Sequence, residues 1–162
     1  MRDAQGHELS GATTEAVGYF DSAVRAFTLI YGDASGLYDA ALNASPKLVM
    51  AYLGKAWPLV LANDPLMAAS ARAVLNTARD LPMNDRESAH LAALSHAVKG
   101  HRASAVAILD RHLMTHPFDL VAHMAALQMD GHLGRFPWAR ELLHTINANN
   151  RAGAIQLKHT GQ

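Results

Sequence analysis

The 162-residue chain contains no cysteine, which excludes disulfides, thiolate zinc centres and cysteine nucleophiles together. Charge is also scarce. Only 17% of the residues are Asp, Glu, Lys or Arg, and 14 basic side chains balance 14 acidic ones. A neutral chain lacks the basic footprint that nucleic acid demands, and it lacks a polybasic membrane anchor. No 18 consecutive residues are apolar, so no membrane span is expected. The longest apolar stretch, 48–62, is interrupted by Lys55 and Pro58. The segment MRDAQGHELSG has no apolar core of the kind a secretory signal needs, so a cytoplasmic location is the expectation. Aromatics make up 6% of the chain and β-branched residues are few.

Half of the residues are nevertheless apolar, enough for a packed core in one domain-sized chain. Alanine dominates and no stretch alternates apolar with polar, so helix is expected almost throughout. Pro46, Pro65, Pro117 and Pro137 each stand near the start of an apolar-periodic run, where a missing amide costs little. Thr13 or Thr14 can cap a first helix running to about Tyr31, with Glu15 at its positive end. The pattern then predicts helices over 34–43, 46–62, 65–79, 85–99, 102–115, 120–133 and 137–147. Asn84 followed by Glu87 reads as a capping box. Gly100 and Gly134 fall where helices must stop. Eight helices with such short loops pair as antiparallel hairpins.

The chain also repeats itself. Gly100 recurs as Gly134, Ala105 as Ala139 and Leu109 as Leu143, and one step back from Ala105 and Leu109 stand Ala71 and Leu75. Pro46 with Ala51 is echoed by Pro117 with Ala122, and Pro82 falls between them. A unit of about 34 residues built as helix, turn, helix and closing proline is the signature of the tetratricopeptide repeat. Small residues in the first helix (Ala56, Ala93) and early in the second (Ala105, Ala139) let neighbouring helices approach. The fold expected is therefore an all-α solenoid of antiparallel helix hairpins over residues 1–146, with an off-pattern polar tail over 147–162. Leu127 where a small residue is preferred, His112 in place of alanine, and a turn at 63–65 without glycine make some units degenerate.

A more particular resemblance is carried by Asp3, Gly6, Leu9, Ser10, Ala16, Phe20, Asp21 and Ala23, then by Ala41, Leu42, Pro46, Met50, Ala51, Lys55 and Ala56. It continues through Arg86, Glu87, Ala89, His90, Ala92, Ala93 and Leu94 to Gly100, Ala105, Leu113, His116, Pro117, Asp119, Ala122 and Gly134. In these residues the chain resembles the N-terminal portion of tetratricopeptide repeat protein 38-like proteins, over about 3–140. The resemblance implies a longer helical-repeat scaffold, of which this would be a truncated or N-terminal part. It implies no catalytic residue and no cofactor.

Ten histidines invite a metal reading. His112 and His116 are four apart on one helix, a pair that can hold zinc if a third ligand arrives; the plainer reading is a solvent-facing pair. Glu87 with His90 and Glu141 with His144 are two Glu-x-x-His pairs, half of a di-metal carboxylate site in a helical bundle. The chain is short of glutamates for the other half, and Glu87 already has a capping role. Ser88, Ser95 and Ser104 lie near histidines but in no nucleophile elbow, and no glycine-rich loop resembles a phosphate cradle.

The favoured expectation is a non-catalytic protein-interaction scaffold whose first helices line a groove. Their phase selects Met50, Leu53 and Trp57, then Glu87, His90 and Leu94, then Met124, Gln128 and His132. Trp57 and Met50 fit a core better. His90, Leu94, Met124, Gln128 and His132 remain as candidates for an unknown protein or peptide partner. The stripe Trp138, Leu142, Leu143 and Ile146 predicts self-association. A metal-binding bundle and a purely oligomerising helical domain are the alternatives.

Overall fold

A computed structural model describes residues 1–132. The described chain is all-helical: α1 (Thr14–Leu29), α2 (Ala34–Ala44), α3 (Val49–Leu61), α4 (Pro65–Arg79), α5 (Asp85–Ala97), α6 (Arg102–Thr115) and α7 (Leu120–His132). The only extended pairing among these residues is an isolated bridge between Arg2 and Glu8. No helix among them is long and apolar enough to cross a membrane. The helix expected over 137–147, the 147–162 tail, and Glu141, His144, Trp138, Leu142 and Ile146 lie outside the described residues.

The helix starts follow from their caps. The Thr13 hydroxyl accepts from the Ala16 amide, Asp33 from Gly36, and Asp64 from Leu66, with Pro65 in the first helical position where no amide is needed. Asn84 and Glu87 form the reciprocal capping box. The tight turns use left-handed residues: Gly100 (φ 81°) between α5 and α6, and Asn63 (φ 55°) between α3 and α4, where asparagine does what glycine does elsewhere.

Pro46 and Pro117 do not open helices. Each sits in a turn closed by an amide two residues later, Leu48 donating to the Ser45 carbonyl and Asp119 to the His116 carbonyl. The helices start at Val49 and Leu120 because Leu48 and Asp119 take the N-cap places.

Three hairpins, α1–α2, α3–α4 and α5–α6, make the most extensive helix contacts. α2 packs on α3, α3 on α5, and α6 on α7. α7 also reaches α1 and α3, which gathers these helices round one interior. That interior buries Phe20, Tyr38, Met50, Leu53, Trp57 and Leu94 completely or nearly so. Ala71 and Ala105, and Leu75 and Leu109, the pairs related by the repeat, are all buried. One close approach is glycine-dependent: a Cβ on Gly54 of α3 would lie 2.5 Å from the Tyr38 ring of α2.

Candidate functional site

The most distinctive feature of the interior is ionic. Arg86, Glu87 and His90 on α5, His112 on α6, Asp119 at the head of α7 and Asp3 from the N-terminal segment are all buried. Arg86 and His90 are four apart and therefore share the face of α5 that also buries Leu94. Asp119 is the hub. Its Oδ2 accepts from Arg86 Nε at 2.7 Å, from His90 Nε2 at 3.0 Å and from His112 Nε2 at 2.9 Å. Its Oδ1 accepts from Arg86 at 3.2 Å and from the Ala122 amide at 3.2 Å, so the same carboxylate caps α7. The Arg86 fork continues to Asp3 Oδ2 at 2.7 Å. Asp3 Oδ1 in turn holds the Gln5 and His7 amides, which shapes the N-terminal turn.

The protonation states follow from the partners. Trp57 Nε1–H donates to His90 Nδ1 at 2.9 Å, so Nδ1 must present a lone pair. The ring's proton is then on Nε2, aimed at Asp119. Burial pushes the His90 imidazolium below its ordinary pKa and outweighs the attraction of Asp119, so the ring is neutral at neutral pH. Burial alone would raise the Asp119 carboxyl. The His90 ring, the His112 and His90 hydrogen bonds and Arg86 instead hold it far below the usual carboxylate range. Burial works against the Arg86 charge too, but Asp119 and Asp3 outweigh it and raise its pKa. The Tyr38 hydroxyl is buried without a hydrogen-bond partner, and burial pushes its pKa up.

His90, His112 and Asp119 bring three ligand atoms within 4.8 Å of one another, a spacing a metal ion could use. The donor chemistry argues otherwise. A metal at Nε2 would require His90 to carry its proton on Nδ1, and the Trp57 N–H would then face another donor. Arg86 already neutralises the carboxylate.

Glu87 is just as fully engaged. Its Oε1 accepts from the Ser10 amide and its Oε2 from the Asn84 amide, both at 2.9 Å. Both oxygens hold backbone, which leaves Glu87 fixing the N-terminal segment to α5 rather than offering a ligand. Asn84 adds a bond to the Glu8 carbonyl.

A cleft of about 300 Å³ opens beside this cluster, lined by Arg2, His7, Glu8, Asn84, Arg86 and His116. A file of rings connects it to the core. Trp57 meets His90 edge-on at 6.0 Å, His90 meets His112 at 5.5 Å, and His112 stacks on His116 at 4.4 Å. His116 reaches His7 at 5.7 Å. Burial, with His112 and His7 nearby, lowers the His116 pKa.

The structure separates the residues that helical phase had grouped. His90 and Leu94 are completely buried, as are Met50, Leu53, Trp57 and Glu87, so none of them lines an open groove. Met124 and Gln128 are half-buried and His132 is exposed. His112, expected beside His116 in solvent, is interior and bonded to Asp119. Sequence reasoning missed Arg86 and Asp119 as partners. The available signal was Arg86, His90 and Leu94 at four-residue steps, which places an arginine on the face that buries a leucine. No family model, no curated protein and no solved structure matches the chain.

Proposed function

We propose that the protein is a non-catalytic interaction scaffold of the tetratricopeptide-repeat type, akin to tetratricopeptide repeat protein 38-like proteins. The observation that carries this reading is the division of chemistry in the molecule. Interior groups able to do acid–base or metal work are already taken up in hydrogen bonds: both oxygens of Asp119, both ring nitrogens of His90, and both oxygens of Glu87, which hold the Ser10 and Asn84 amides. At the surface, by contrast, large apolar side chains stand uncovered. Met114 and Phe118, at the corner between α6 and α7, are 84% and 72% exposed, and Leu120 follows them at 45%. Large apolar side chains left exposed within a few residues of one another are a binding feature.

The stacked-hairpin arrangement belongs to the same proposal. It is supported by the three hairpins, by the matched burial of Ala71 with Ala105 and Leu75 with Leu109, and by the twin proline turns before α3 and α7. α7 also contacts α1 and α3. A cytoplasmic protein partner is the expected ligand.

Affinity capture with the natural protein and with a Met114→Ser/Phe118→Ser variant tests the reading. A partner retained by the first and lost by the second, at equal helicity, is the expected result. Capture indifferent to the substitution would contradict it.

A further inference from the structure

We propose that the apolar stripe Trp138, Leu142, Leu143 and Ile146 of this same chain docks in the groove between the end of α1 and the end of α3. The groove measures about 340 Å³ and is walled by Phe27, Ile30, Tyr31, Pro58, Leu61 and Gln128. Leu29, Ile30 and Tyr31 are consecutive and 68%, 79% and 82% exposed. Single exposed apolar residues are ordinary, but three in a row beside a concave apolar wall ask for cover.

The backbone at this rim is unusual. Ile30 is held at φ 51°, a conformation that β-branched residues avoid because Cβ crowds the following carbonyl. Two amides hold the turn: Ile30 donates to the Phe27 carbonyl at 3.4 Å and Tyr31 to the Ala26 carbonyl at 3.1 Å. Asparagine or glycine would make the same turn with less strain. An isoleucine here places a large apolar side chain on the groove wall.

The occupant is argued from where the chain runs. Gln128 forms part of the wall and stands four residues before His132, the last described residue. Thirty residues follow, and their apolar stripe begins at Trp138, so the nearest uncommitted apolar segment leaves α7 beside the opening. A tethered segment acts at a high effective concentration, which favours it over a second copy. The partner surface proposed at Met114 and Phe118 is on a different corner, so the two readings stand or fall separately.

The absence of cysteine makes the test clean. Cysteines are introduced by Ala62→Cys at the groove and Thr145→Cys on the stripe, and the full chain is treated with a short bismaleimide. The expected result is an internally crosslinked monomer from the double variant and no dimer from a mixture of the two single variants. Ile30→Asn, which suits a left-handed position and keeps helicity, should abolish the internal crosslink and shift Trp138 emission to the red. A crosslinked dimer from the mixed single variants would assign the groove to a second copy and overturn the proposal. So would crosslinking and Trp138 emission that ignore Ile30→Asn, because proximity would then come from the tether alone.

Discussion

Trp57 on α3 donates its indole N–H to His90 Nδ1 on α5 at 2.9 Å, and this one bond decides what the interior can do. It leaves His90 with a proton on Nε2, facing the Asp119 carboxylate, and so closes the nitrogen that a metal would need. Zinc added in excess should leave the melting temperature unchanged in thermal unfolding followed by circular dichroism. Trp57→Phe removes the donor and frees Nδ1, so any zinc-dependent stabilisation should appear in that variant first.

Asp119 and Arg86 form a buried pair within a triad: without Asp119 the Arg86 charge keeps only Asp3, and without Arg86 both buried carboxylates lose their cation. Asp119→Ala or Arg86→Ala should each cost about 3–5 kcal/mol, the usual penalty for an unpaired buried charge. In the double variant only Asp3 is left without its cation, so the loss should fall short of the sum. Denaturant unfolding of the four proteins in a double-mutant cycle measures the coupling.

The pH dependence has a definite sign. His90 and His116 have folded pKa values below the ordinary 6.5, so the unfolded chain takes up protons that the folded chain refuses. Stability should therefore be full above about pH 6.5 and decline as the pH falls below it. Asp119, whose folded pKa is depressed, adds a second loss below about pH 4, where the unfolded carboxyl protonates. Urea midpoints between pH 8 and pH 4 should show the histidine step, and His116→Gln should reduce it.

Two helical glycines should respond to alanine with opposite signs. Gly18 in α1 has open space where an added methyl group would sit, so Gly18→Ala should stabilise by up to about 1 kcal/mol through helix propensity alone. Gly54 in α3 has the Tyr38 ring 2.5 Å from the corresponding point, so Gly54→Ala should destabilise by about 1–3 kcal/mol despite the same propensity gain. Thermal melts of the two variants check both signs.

The helices were legible because their boundaries are local chemistry. The capping box at Asn84 and Glu87, the proline after Asp64 and the left-handed Gly100 can all be read within a few residues. The start at Leu120, after Pro117, was legible, but the one after Pro46 was not, since a proline serves equally in a turn before a helix and in its first position. The site was legible only in part, since Arg86 and the hub Asp119 did not stand out. Glu87 and His90 drew attention as a possible metal pair, and helical phase put His90 on a groove-lining stripe, whereas the structure buries it. The long-range partners in the site lie 29 to 83 residues away, as His90 to Asp119, Glu87 to Ser10 and Arg86 to Asp3 do. Pairing at that separation depends on the helix packing. No spacing within a single helix encodes it.

Long-range proton–nitrogen NMR of the histidine rings, followed from pH 7.5 to pH 5, tests the self-satisfied interior most directly. His90 should be neutral at neutral pH, with a protonated Nε2 and a hydrogen-bonded, unprotonated Nδ1, and should take up a proton only below the ordinary imidazole range. A His90 ring that titrates near pH 6.5, or that carries its proton on Nδ1, would contradict it and reopen the interior to metal and acid–base chemistry.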